Sequence, residues 1–135
     1  MPDPEHVLEV VREWMTKAES DLTAATHLVQ LGEEGPCDAA CFHAQQTVEK
    51  YLKALLVSEQ IDFPKTHDCE QLIALIPEPV RPTLTIEEQG EITEYAWRAR
   101  YPGFAEISLA EARRAIEVAQ RVRDEVRERL PKGIR

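Results

Sequence analysis

Three short segments of the chain carry side chains able to do chemistry. The first is Cys-Phe-His-Ala-Gln-Gln-Thr-Val-Glu-Lys-Tyr-Leu-Lys-Ala-Leu-Leu, residues 41–56. At about 100° per residue on a helix, Ala40, Ala44, Val48, Tyr51, Leu52 and Leu55 share an apolar side. His43, Gln46, Lys50 and Lys53 then fall opposite, in an arc about 80° wide. An ammonium group meets phosphate as a compact charge, and imidazole and amide groups can read a base or ribose by hydrogen bonds. The competing reading is a solvated helix face. Lys53 is the residue it explains best, with Glu49 as an i,i+4 partner. The second segment is Lys65-Thr66-His67-Asp68, where amides at a helix start and the Lys65 charge suit an anion. Ordinary capping explains Thr66 or Asp68 equally well. His67 beside Asp68 suggests a tuned acid–base group, though sequence neighbours do not face each other on a helix. The third is Tyr95-Ala96-Trp97-Arg98-Ala99-Arg100-Tyr101-Pro102-Gly103. Arg98 and Arg100 suit phosphate, and the aromatics suit base stacking. Trp97 is read as core, and the alternative for both arginines is that they complement a helix C-terminus.

Self-sufficient catalytic arrangements are missing from the sequence. It has no Gly-rich phosphate loop, no His-Glu-x-x-His and no Gly-x-Ser-x-Gly. Carboxylates are plentiful, but none pairs distinctively with another, so no catalytic residue is assigned. Cys37, Cys41 and Cys69 form no regular framework, and two thiols four residues apart are a weak zinc signal. No metal or obligatory cofactor is expected; a purine nucleotide is the small ligand that the polar arc would suit.

Charge limits the partners further. The 135 residues carry a net charge of −9, which argues against a surface that coats nucleic acid. The basic groups gather late: residues 1–97 hold 6 Lys+Arg and 19 Asp+Glu, whereas residues 98–135 hold 10 and 6. The basic end suits a local nucleotide or RNA contact. A helix laced with ion pairs such as Glu117–Arg121 and Glu125–Arg129 is the plainer reading. No leader-like start and no apolar run of about 20 residues is seen, so a cytoplasmic protein without a membrane span is expected.

The elements that must position these residues read as helices separated by Pro and Gly. Asp3 caps and Pro4 opens a first helix, whose apolar positions Val7, Val11, Trp14, Ala18, Leu22, Ala25 and Leu28 keep a 3–4 spacing up to Gly32. Gly35-Pro36 turns the chain into a second helix from Cys37 to Ser58. Thr66 or Asp68 caps a short third helix ending at Ile76. Pro77, Pro79 and Pro82 make residues 78–84 an extended linker. Capping boxes at Thr85–Glu88 and Ser108–Glu111 open a fourth helix to about Arg100 and a last one to about Leu130. No strand pattern competes. The expectation is one all-α domain over residues 1–135, an up-and-down antiparallel bundle of four to five helices.

In order and spacing, several blocks together resemble the HEPN domain family. They are Ala18-Glu19-Ser20-Asp21-Leu22; Phe42-His43-Ala44-Gln45-Gln46 with Glu49-Lys50 and Leu52-Lys53-Ala54-Leu55; Lys65-Thr66-His67-Asp68; and Arg98-Ala99-Arg100-Tyr101-Pro102. A final helix rich in Ala, Glu and Arg completes them, and the blocks span about residues 14–130. The resemblance implies a compact bundle of four to five helices and, as the family name indicates, nucleotide binding. It also implies a partner: many prokaryotic members are encoded beside a minimal nucleotidyltransferase and form a complex with it, often as a toxin–antitoxin pair. Other members are metal-independent RNases acting as dimers, and these carry an Arg followed after four to six residues by His. Here the histidines are His6, His27, His43 and His67, and none follows an Arg at that distance.

Different classes of function therefore stand side by side. The preferred one is a non-catalytic binding module, a nucleotide-binding or nucleotidyltransferase-partner subunit, using His43, Gln46, Lys50, Lys53, Lys65, His67, Arg98, Arg100 and Tyr101 as ligand or interface groups. A homodimer is expected by resemblance, and RNA is a less favoured partner. The alternatives are an RNase with a divergent site, built from His43 or His67 with Arg98 or Arg100, and a dimeric scaffold without ligand.

Overall fold

In the computed structural model, which describes residues 3–134, four of the five helices begin at a side chain that accepts from a backbone N–H of the first turn. Asp3 accepts from the Glu5 amide at 3.1 Å, and Pro4 fills the first position of α1 (Pro4–Val29). A 3₁₀ turn at Gly32–Glu34 leads to α2 (Cys37–Ser58), where Pro36 occupies the cap position. Gly32 takes φ +77°, the left-handed conformation in which glycine carries no side-chain penalty. Asp68, not Thr66, caps α3 (Cys69–Leu75) by accepting from Gln71 at 3.1 Å. The expected linker holds a 3₁₀ turn at Glu78–Val80 before α4 (Ile86–Arg98). The Thr85–Glu88 capping box is complete, with N···O distances of 2.9 and 3.0 Å.

Only half of the second box forms. Ser108 accepts from the Glu111 amide at 3.1 Å and starts α5 (Leu109–Arg129). The Glu111 carboxylate turns instead to α4, where Tyr95 and Arg98 donate to it. The expected pairs within α5 give way to contacts between elements in the same manner. Arg121 bonds Glu88 of α4 at 2.6 Å and Glu125 accepts from the Thr83 amide at 3.1 Å, whereas Arg129 stays within α5 and donates to the Glu125 carbonyl rather than its carboxylate.

The four long helices run alternately up and down, with α3 as a short bridge. Glu19 of α1 faces Tyr51 of α2 and Asp21 faces His43, an antiparallel pairing; Glu88 and Arg98 of α4 face Arg121 and Glu111 of α5, another. α2 lies at the centre, packing on α1, α3, α4 and α5. Alanines make this close approach possible: Ala18, Ala25, Ala40, Ala44, Ala112 and Ala119 are fully buried. Around them Val11, Leu22, Val48, Leu52, Leu55, Ile116 and Val122 fill the core, each large apolar side chain contributing roughly 1.5–3 kcal/mol by burial.

Two expectations change as a result. α2 is not a helix with a broad solvated face; 14 of its 22 residues are buried, Gln45, Thr47, Glu49 and Lys53 among them. Trp97 is not core: it is 43% exposed. Tyr95 and Ala96 take the inward positions at the end of α4, and one further helical step of about 100° turns Trp97 to the outside.

Candidate functional site

The polar arc of α2 is divided between two buried or nearly buried carboxylates. On the α1 side, Asp21 accepts from His43 Nδ1 at 2.8 Å and from Lys50 Nζ at 2.5 Å. Asp21 neighbours Leu22 of the buried α1 stripe, so the antiparallel packing of α1 on α2 carries its carboxylate to the arc. On the other side, Glu49 Oε1 accepts from Gln45 Nε2 at 3.0 Å and from His67 Nδ1 at 2.7 Å. Glu49 Oε2 accepts from Lys53 Nζ at 3.0 Å. Gln46 joins this second group by donating to Gln45 Oε1 at 2.7 Å.

Lys53 is the clearest departure from expectation. It is not plain surface but 7% exposed. Its ammonium lies 5.3 Å from the Trp14 ring centroid and 5.8 Å from that of Phe63, where ring quadrupoles favour a cation. The segment between α2 and α3 folds back onto α2, bringing Phe63 to Lys53 and His67 to Glu49. The i,i+4 pairing with Glu49 is present. His67 is tied to that same carboxylate rather than to its neighbour Asp68, which is engaged as the α3 cap. Gln45 also donates to the His67 carbonyl at 3.3 Å, so the loop is held by both side chain and backbone.

Both imidazoles are thus oriented alike. Nδ1 meets a carboxylate in each, no hydrogen bond engages Nε2 among the described residues, and the side chains of His43 and His67 are 33% and 61% exposed. Such an arrangement can accept a hydrogen bond or a proton from outside.

The third segment divides as well. Arg98 pairs with Glu111 at 2.7 Å, beside the Tyr95 hydroxyl that donates to the same oxygen at 2.7 Å. Arg100 Nε donates to the Ala96 carbonyl at 2.6 Å, so it does complement the end of α4. Its guanidinium lies 5.3 Å from the Phe42 ring centroid and 5.5 Å from that of Tyr101. Phe42 in turn meets the His43 ring edge-on at 5.6 Å. Tyr101 is 58% exposed, and Lys65 stands exposed on the loop before α3.

The cysteines are free and buried, and burial governs them. The Cys41 thiol is pushed up to about 12, first by desolvation and then by the Glu111 charge. Desolvation and Glu49 push Cys69 up also. Neither forms an appreciable thiolate at neutral pH. Among the described residues, no group of three or more His, Cys, Asp or Glu side chains is placed to hold a metal ion, and no helix is long and apolar enough to cross a membrane.

Sequence reasoning found the cations but assigned no role to most of the anions that hold them. Asp21, Glu19 and Glu111 each serve two donors, and Gln45 works beside Glu49. The available signal was an acidic side chain directly beside a buried position, as Asp21 is beside Leu22 and Glu111 beside Ala112.

The fold is an all-α bundle whose central helix carries a polar row held by carboxylates. The HEPN domain model matches residues 11–129, and the chain belongs to the HEPN domain family. Two solved structures share the fold. TT1696 from Thermus thermophilus is 28% identical over 89% of this chain and 98% of its own, with a TM-score of 0.75. ST0689, an archaeal HEPN homologue, is 23% identical over 90% of this chain and 98% of its own, with a TM-score of 0.70. No curated protein matches the chain significantly.

Proposed function

We propose that residues 1–135 form a single non-catalytic HEPN subunit whose role is to associate with a partner protein, a minimal nucleotidyltransferase. The observation that carries this reading is the internal neutralisation of three of the five candidate lysines and arginines. Lys50 is bound by Asp21, Lys53 by Glu49 and Arg98 by Glu111. A nucleotide phosphate would have to displace a carboxylate from each of them and leave that carboxylate unpaired, at substantial cost for the buried pair. What the chain presents outward instead is aromatic: Trp97, Tyr101 and Phe104 are exposed within eight residues, with Arg100 among them. Such side chains anchor protein interfaces.

The test is co-purification of the tagged chain with a minimal nucleotidyltransferase encoded beside it. A complex that survives gel filtration and is weakened about tenfold by Trp97→Ala or Tyr101→Ala is expected. Millimolar ATP, ADP or AMP should leave the thermal midpoint of the chain unchanged. A nucleotide-dependent rise in midpoint without a complex would overturn the reading in favour of a purine nucleotide as ligand.

The partly exposed His43 imidazole, with Nδ1 held by Asp21 at 2.8 Å, favours a second reading as an RNase with a divergent site. Cleavage of RNA by the purified chain, abolished in His43→Ala, is its requirement. Intact RNA at every protein concentration removes it.

A further inference from the structure

We infer that the groove between the start of α2 and the 99–108 segment is a docking site for a basic, arginine-bearing segment of a partner protein. This rests on the partner-binding reading above and deepens it by naming the surface and the chemistry.

The groove has a cavity of about 350 Å3 whose walls include Glu33, Asp38, Arg98, Tyr101, Phe104 and Glu106. A second depression of about 280 Å3 shares Glu33, Glu106 and Ile107 with it and continues to Leu109. The two together make an elongated trough, which suits a length of chain better than a small molecule. Its charge is one-sided. Arg98 is the one cation of the walls, and Glu111 already neutralises it. No ion pair engages Glu33, Asp38 or Glu106 among the described residues, although Asp38 accepts from the Ala39 amide at 2.9 Å.

Aromatic exposure is the independent observation. Tyr101 and Phe104, which line the same groove as these carboxylates, are 58% and 46% exposed, and Leu31, 64% exposed, lies just before the Gly32–Glu34 turn. Large apolar side chains left open beside uncompensated carboxylates match a group that is both cationic and flat. Guanidinium is such a group: it stacks on aromatic rings while its N–H fork meets carboxylates. The same corner already holds one example, since Arg100 lies against both Phe42 and Tyr101. A lysine ammonium would gain the charge attraction but less of the stacking, and an acidic segment would be repelled.

The experiment uses the full chain and an acetylated, amidated Gly-Arg-Arg-Gly peptide as probe, with Gly-Glu-Glu-Gly as its control, followed by amide chemical shifts. The arginine peptide should bind in the millimolar range, with shifts confined to residues 31–38 and 98–109, weakening as salt rises. The triple variant Glu33→Gln/Asp38→Asn/Glu106→Gln, with an unchanged thermal midpoint, should lower that affinity about tenfold. No shifts, shifts elsewhere, or equal binding of the acidic peptide overturns the inference. The nucleotidyltransferase pull-down separates the two ideas. Wild type and triple variant capturing it equally would refute the groove and keep the partner. Arginine peptide docking in the groove without nucleotidyltransferase capture would refute that partner and keep the groove.

Discussion

Removing the carboxylate of Glu49 and removing the ammonium of Lys53 should have unequal consequences, although the two groups form one ion pair. Their side chains are 3% and 9% exposed, so each depends on what else surrounds it. Lys53 has one carboxylate, and its other near neighbours are the rings of Trp14 and Phe63. In Glu49→Gln the ammonium remains buried without a counter-charge, and breaking a buried pair in this way costs roughly 3–5 kcal/mol. Partial access of Lys53 to water places the expectation at the lower end, about 3 kcal/mol. In Lys53→Met the apolar stem stays between the rings, and Glu49 keeps the Gln45 amide at 3.0 Å and His67 at 2.7 Å. Loss of one of three partners then costs about 1 kcal/mol. An unfolding entropy of about 2.1 cal/mol/K per residue gives about 0.28 kcal/mol/K for a chain of this length, hence falls in Tm of roughly 11 °C and 4 °C. The double variant should lie close to Lys53→Met, because it holds no buried ammonium for the lost carboxylate to leave unpaired. Thermal and urea melts of the four proteins at pH 7 measure the cycle, with a coupling of about 3 kcal/mol expected. A Glu49→Gln cost no larger than that of Lys53→Met, or a coupling under about 0.5 kcal/mol, would falsify the account of Lys53 as a cation held in place by one carboxylate.

Further outcomes follow from the other carboxylate-centred groups. Alkaline pH should destabilise the fold: Cys41 is raised from 9.0 to about 12, and burial with Glu19 and Glu111 raises Tyr51 and Tyr95. The folded chain keeps protons that the unfolded chain releases, so this stability is intact below about pH 9 and declines above it, read as a falling urea midpoint that Tyr95→Phe flattens. Glu88 shows the opposite sign. Its hydrogen bond from Arg121 lowers it, so the contribution is present above the usual carboxylate range and lost as the pH falls through it; Arg121→Ala should flatten acid unfolding. Glu111→Ala should cost about 1–3 kcal/mol by leaving the buried Tyr95 hydroxyl unsatisfied, and Tyr95→Phe in that background should recover most of it. Ser108→Ala should cost about 1 kcal/mol from the start of α5, readable by circular dichroism melts, and an unchanged midpoint would refute its role as the cap.

Helix positions were legible because their signals are local. Asp3-Pro4, Gly35-Pro36, Asp68, Thr85–Glu88 and Ser108 act within one turn of themselves, and the second helix runs from Cys37 to Ser58 as its pattern predicts. The side-chain roles were harder to read where a residue's partner lies far along the chain. Glu111 looks like the closing half of a capping box until α4 brings Tyr95 and Arg98 to it. Trp97 looks like core until Tyr95 and Ala96 take the inward face. Arg121 looks paired within α5 until Glu88 arrives from α4.

The same division holds for the candidate site. By itself the amino-acid order determined an all-α chain, the family to which it belongs, and a row of His43, Gln46, Lys50 and Lys53 at helical spacing, since periodicity and caps depend only on near neighbours. Only the packing of α1 and of the segment before α3 against α2 decided what that row faces. Asp21 is 22 residues from His43, and His67 is 18 from Glu49. Burial made Lys53 an interior cation, and the packing tied Nδ1 of both imidazoles to carboxylates. It also left Trp97, Tyr101 and Phe104 exposed at and beyond the end of α4, while Lys50 and Lys53 of α2 are paired with carboxylates.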